Sequence, residues 1–277
     1  MGRRTLFAVT LFLAFPSWGS AQKVYPDKPE GLKKLVENMI AENRSGTLDA
    51  NRSVQALLIA DNDTWFQEVF GADVGDRLAT EYSSVRSDLE TSLVAFLSRA
   101  DANGKGRVSV LRARLKEANS RDPETLAVVS LAQKPIELYT VRFTNSASQE
   151  EVFFGQFAYR QGAFRFLGRM LAVVSGNEAR LRIFPLRSNL PSLKASFYSR
   201  PRYPQAAKDA RVGGTVRIYA VISLDGTLRD LRVVQGHPLL VQASLEALKG
   251  RRYQPIEIDG VRTEVLILAD TIFEIRS

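Results

Sequence analysis

Residues 201–273 read PRYPQAAKDARVGGTVRIYAVISLDGTLRDLRVVQGHPLLVQASLEALKGRRYQPIEIDGVRTEVLILADTIF, and this stretch decides the fold of the carboxy-terminal part of the chain. Val216, Ile218, Ala220 and Ile222 alternate with Arg217, Tyr219, Val221 and Ser223, the period of two expected of a strand with one buried face. Asp225-Gly226 then supplies the positive φ of a tight turn, and Leu228, Leu231, Val233 and Val234 continue as a second strand. From Leu239 to Lys249 the apolar residues Leu240, Ala243, Leu245, Ala247 and Leu248 fall on one broad helical face, and Gly250 ends it. Thr263 to Ile275 is rich in β-branched and apolar residues and predicts a long closing strand. The unit is β-β-α-β, an antiparallel sheet with a helix on one face.

Several spaced positions in this unit carry a family resemblance. Tyr203-Pro204 is followed by Ala207, Ala210, Val212, Gly214, Thr215 and Val216; Asp225-Gly226 comes next, then Gly236-His237-Pro238-Leu239-Leu240, Ala243, Leu245 and Ala247, and finally Tyr253 and Pro255. In this register the segment from about 198 to 277 resembles the TonB carboxy-terminal domain, the periplasmic module of energy transducers that reach the outer membrane. Two departures stand out. Arg251 occupies the place where the family usually has Trp, and no long Pro-rich spacer precedes the module.

The resemblance implies capture of a short extended peptide of an outer-membrane transporter along an exposed sheet edge, and contact with peptidoglycan in some relatives. The physics would be strand addition, with main-chain hydrogen bonds giving affinity. In the family the last strand receives the peptide, which makes Glu264, Val265, Leu266, Ile267, Leu268 and onward to Phe273 the first candidates for partner binding. Tyr203 and Pro204 are the second, with a rigid packed turn as their simpler role. Arg251 and Arg252 beside Tyr253 suggest an exposed basic patch for an acidic peptide or wall polymer, or equally a solvated helix end. His237, between strand and helix, reads as a turn and cap residue.

Composition narrows the alternatives. At 277 residues and 45% hydrophobic content the chain can bury a large core and divide into two domains. Removing Arg3 and Arg4 with the leader described below takes the formal charge from +8 down by two, to +6. That mild excess suits anionic surfaces, and no run of Lys or Arg marks a nucleic-acid track. There is no Cys, and His237 is the one His, so thiolate sites and His-pair metal sites are excluded and a Ser-His-Asp triad would have to use His237. No metal, cofactor or catalytic residue is expected, and the chain is not read as an enzyme.

Residues 1–21 read as a signal peptide: Arg3 and Arg4, the apolar run Leu6 to Phe15, then Gly19-Ser20-Ala21 as the cleavage site. This predicts a periplasmic protein, or one anchored in the inner membrane beside a proton-channel complex if the segment is never cleaved. Helices are expected over Pro29–Glu42, after Asp63-Thr64 and from Val74 to Arg99, while Val54–Ile59 is of uncertain type. Asp101-Ala102-Asn103-Gly104-Lys105-Gly106 has the opening of a calcium loop, but Lys105 and Arg112 stand where oxygen ligands belong, so it reads as a turn. Strand segments are expected near 107–116, 126–132, 135–144, 151–160 and 163–174.

The resulting fold class is α+β: a helical plus antiparallel-sheet amino-terminal domain over 22–175, a linker over 176–197, and the small β-β-α-β domain over 198–277. The stretch Phe153 to Leu171 faintly resembles the closing strands of the cone fold of nuclear transport factors and ketosteroid isomerases. Glu137, Glu150 and Glu151 show no partner with which to form an acid/base pair. The function expected is a periplasmic adaptor that docks transporter peptides or cell-wall material. The alternatives are a membrane-anchored transducer, and a small-ligand carrier or enzyme built on the cone-like domain.

Overall fold

The computed structural model describes residues 24–275, apart from 61–62, 102–105, 117–121, 146–150, 177, 185–194 and 259. The signal-peptide segment and the calcium-like turn at 102–105 therefore lie outside the described residues. Helices lead the chain: α1 (Pro29–Arg44), α2 (Ala50–Leu57), α3 (Trp65–Phe70) and α4 (Ala72–Asp101). Then come β1 (Gly106–Ala113), α5 (Pro123–Ser130), β2 (Leu138–Asn145), β3 (Glu151–Arg160), β4 (Ala163–Ser175) and β5 (Glu178–Phe184). The remainder is β6 (Ala195–Phe197), α6 (Gln205–Asp209), β7 (Gly214–Ile222), β8 (Leu228–Gln235), α7 (Pro238–Lys249), β9 (Arg252–Tyr253), β10 (Glu257–Ile258), β11 (Val261–Arg262) and β12 (Glu264–Phe273). This is the α+β class, with antiparallel strand pairing throughout the main sheet.

Among the described residues the main sheet has eight strands in the order β1-β2-β3-β4-β12-β7-β8, with β5 on β4. The last strand of the chain thus sits inside the sheet. β12 pairs with β7 over its whole length, from Val265 opposite Ile222 to Phe273 opposite Gly214. On its other side Glu264 and Val265 pair with Val174 and Val173 of β4.

One core forms where α1 and α4 lay Leu32, Val36, Leu78, Leu89 and Leu93 against Phe157, Phe166 and Leu167 of the sheet. A second forms under α7, where Leu240 and Leu248 meet Val216, Ile218, Ala220, Val265, Ile267 and Ala269. Neither core respects the expected boundary. Leu268 of β12 belongs to the first, and Leu171 of β4 with Phe184 of β5 to the second.

Two expectations change. Residues 126–132 were expected to form a strand, yet 123–130 form α5. Asp122 caps it by accepting from Thr125 N at 3.2 Å, and Pro123 supplies the fixed φ favoured in a first helical turn. From Glu124 to Val129 every residue of this helix is buried, because it packs against β12 and β4 and touches β1 and β2. The expected linker 176–197 also contains structure: 178–184 is β5, fully paired with Arg169–Ser175, while 185–194 lie outside the described residues. No helix among the described residues is long and apolar enough to cross a membrane.

Candidate functional site

Tyr203-Pro204 opens the carboxy-terminal unit as a packed turn. Pro204 is extended at φ −65° and precedes α6 as its cap residue. The Tyr203 hydroxyl donates to the Val212 carbonyl at 2.8 Å, and its ring meets Phe273 edge to face at 5.3 Å. The pair ties the start of the unit to the end of β12. His237 caps α7, its Nδ1 accepting from Leu239 N at 3.3 Å.

The turn between β7 and β8 depends on Gly226. Its φ is +82°, and a Cβ there would stand 2.0 Å from the Tyr253 carbonyl oxygen. The Gly226 carbonyl in turn accepts from Tyr253 N at 2.8 Å, so the hairpin and β9 are fastened together. Asp225 holds the turn from inside by accepting from Thr227 N, the Thr227 hydroxyl and the Ser223 hydroxyl at 2.7–2.9 Å. Those donors lower its carboxyl pKa from 3.8 to about 2.

Glu264 through Phe273 is not the open edge expected of it. β7 takes one side, β4 takes Glu264 and Val265 on the other, and α5 packs against the strand as well. Val265, Ile267, Leu268 and Phe273 are buried, and Leu266 is half-buried. Glu264 pairs through both oxygens with Arg229 of β8, at 3.0 and 2.5 Å. Asp270 pairs through both oxygens with the buried Arg217 of β7, each at 2.8 Å, and Arg217 also donates to the Leu115 carbonyl. β4 and α5 thus cover part of this strand, and Ile272 near its end stays exposed.

β8 offers the contrast. It is an outermost strand of the main sheet, and Arg232 to Gln235 are exposed, Val233 and Val234 by 43% and 49%. Register shifts against β7 fall in both halves of the strand, one around Asp230 at φ 52° and one at Val234, a device that limits indiscriminate edge pairing. Sequence reasoning passed over this edge, although the adjacent Val233-Val234 breaks the alternation of a strand with one buried face.

Arg252 is exposed and donates to the Lys249 and Arg251 carbonyls at 2.9 and 2.8 Å. Arg251 corrects the expectation of an exposed basic pair: it is buried, its guanidinium 4.3 Å from the centroid of the Tyr198 ring. A cation on an aromatic face takes the position where the resemblance expected Trp.

The amino-terminal domain has its own buried polar cluster. Arg169 pairs with Glu124 at 2.8 Å and lies 4.8 Å over the Phe153 ring, while the Thr140 hydroxyl donates to Asp122. Gln156 donates to the Thr125 hydroxyl at 2.7 Å and accepts from Met170 N at 2.7 Å. Burial pushes the Glu124 carboxyl up, with the Arg169 charge opposing it. These groups hydrogen-bond to one another and bind α5 to the sheet. Glu137, which looked partnerless, pairs with Arg114 and accepts from the Tyr139 hydroxyl at 3.4 Å. Among the described residues no group of His, Cys, Asp and Glu is placed to hold a metal.

A β-β-α-β unit with a capped helix and a pinned entry turn is thus built into a larger α+β protein. Residues 199–275 match the family model described as Gram-negative bacterial TonB protein C-terminal. The match spans roughly a quarter of the chain, which is similar over that span to TonB carboxy-terminal domains. Among solved structures the chain is similar to the solution NMR structure of the Pseudomonas aeruginosa TonB CTD, at 22% identity and a TM-score of 0.28, covering 32% of this chain and 92% of that one. No curated protein matches the chain.

Proposed function

We propose that the chain is a TonB-like, transport-associated adaptor of the cell envelope, working in the periplasm without chemistry of its own. It holds an extended segment of an outer-membrane transporter against the free edge of β8. The observation that carries this reading is the exchange of edges: β12 is engaged by β7, β4 and α5, while Arg232 to Gln235 stand exposed at the rim of the same sheet. An added strand there would take up unpaired backbone groups, with Val233 and Val234 giving apolar footing. The match of 199–275 to the TonB family supports the transport association, the envelope location and the non-enzymatic role.

Amide NMR of the full chain, titrated with an extended transporter peptide, tests the assignment. Saturable shifts confined to Arg232–Gln235, lost when alternate peptide amides are N-methylated, are expected. Shifts along Glu264–Phe273 would mean that the amino-terminal domain yields β12 to the peptide instead. An absence of shifts at both strands ends the docking proposal.

A further inference from the structure

Arg251 is a charged residue in an apolar position. It follows Gly250 at the end of α7, is 5% exposed, and its Nε and Nη2 are buried with no hydrogen-bond partner among the described residues. A buried guanidinium normally faces a carboxylate, since an uncompensated charge away from water is costly. No salt bridge to a carboxylate is formed by Arg251 among the described residues. What it has is the Tyr198 ring face at 4.3 Å, which steadies the cation, and a hydrogen bond with the Tyr253 hydroxyl. Burial raises the Tyr253 hydroxyl pKa on balance, with the Arg251 charge and hydrogen bond opposing it, so the phenol stays neutral. A neutral phenol provides no counter-charge.

The surroundings indicate what would provide one. β6 and β9 form a small two-stranded ribbon beside Arg251. Phe197 and Tyr198 on it are 60% and 56% exposed, and Arg200, Arg202, Lys249 and Arg252 are exposed in the flanking sequence. The stretches 195–208 and 247–256 contain neither Asp nor Glu. We propose that Arg251 is the receptor for a side-chain carboxylate of an extended acidic peptide, and that Tyr198 is the ring that covers it when the site is empty.

A planar carboxylate matches the guanidinium fork and would satisfy Nε and Nη2 together. An extended peptide can lie along the ribbon, whose strand β6 pairs with β9 alone among the described residues, and lower one acidic side chain past Tyr198. The exposed cations draw such a peptide in and the exposed aromatic rings give it apolar footing. This site is separate from the β8 edge, so either assignment can fail without the other.

The test is fluorescence anisotropy on the full chain at low ionic strength. The probe is a labelled, acetylated and amidated peptide of alternating Glu and Val, against its Gln-Val counterpart and against phosphatidylglycerol vesicles. The Glu peptide is expected to bind and the Gln peptide not. Arg251→Met should weaken binding by roughly tenfold or more, whereas Arg252→Gln should change it by about threefold or less. Arg251→Met should also raise the melting temperature, because it removes an uncompensated buried charge. In the wild type, the Arg251 Nε–Hε resonance should shift on adding the Glu peptide, a readout independent of how the variant folds. Equal binding of the two peptides, an unmoved Arg251 resonance, or Arg251-dependent binding to vesicles alone overturns the proposal. An amidated peptide that fails where one with a free C-terminal carboxylate succeeds overturns the side-chain assignment.

Discussion

Arg217 of β7 and Asp270 of β12 are cross-strand partners joined by two hydrogen bonds of 2.8 Å, and Arg217 reaches on to the Leu115 carbonyl of the amino-terminal domain. The pair therefore fastens the TonB-like sheet internally and to its neighbour. Both side chains are buried, so removing one strands the other charge away from water. Arg217→Ala and Asp270→Ala should each cost about 3–5 kcal/mol in urea unfolding of the full chain. The double replacement Arg217→Met with Asp270→Leu should recover most of that loss. A double variant as unstable as the singles would show that the ion pair itself, rather than the avoidance of a lone charge, holds the interface.

The β7–β8 turn should carry an acid-sensitive step. Asp225 is ionised down to about pH 2 in the folded chain because three donors converge on it, while its usual value is 3.8. A lowered folded pKa gives stability that is present above the unfolded value and is lost as pH falls through the folded one. The full chain should thus lose part of its stability between about pH 4 and pH 2, and Asp225→Asn should flatten that part of the profile. The measurement is the urea midpoint against pH for both proteins. Superimposable profiles would remove Asp225 from the acid limb.

The sequence showed the β-β-α-β unit because each element there has one wet and one dry side. Alternation through Val216 to Ile222 and the Asp225-Gly226 turn are local signals, and β7, β8, α7 and β12 follow them. Where an element is dry on every side the signal fails. Leu126 to Val129 are all buried, so α5 has no polar stripe to reveal its period of 3.6, and its β-branched content favours a strand reading. Asp122-Pro123 was the available clue. In β5, Leu181 and Ile183 alternate with Arg180 and Arg182, but the surrounding Gly, Asn, Pro and Ser drew the stretch into a linker. The site was less legible for a different reason. The covering of β12 and the burial of Arg251 arise from contacts with β4, α5 and Tyr198 that are distant in sequence, and no local pattern records them.

Leu268 measures how far the two domains are one folding unit. Its neighbours in sequence face α7, but Leu268 joins the amino-terminal core with Leu126 and Val128 of α5 and, at its rim, Leu266 and Tyr219. Truncating it leaves a cavity in a core that it does not share by chain position. Leu268→Ala should destabilise by about 2–5 kcal/mol, and hydrogen exchange should quicken in α5 and β4 as well as in β7 and β12. The isolated segment 198–277 should expose Leu266, Leu268 and the Arg217–Asp270 pair, and so should unfold at lower urea than the same strands in the full chain and self-associate in light scattering. A monomeric segment of unchanged stability, together with exchange confined to β7 and β12 in Leu268→Ala, would make the shared sheet a contact between two independent domains.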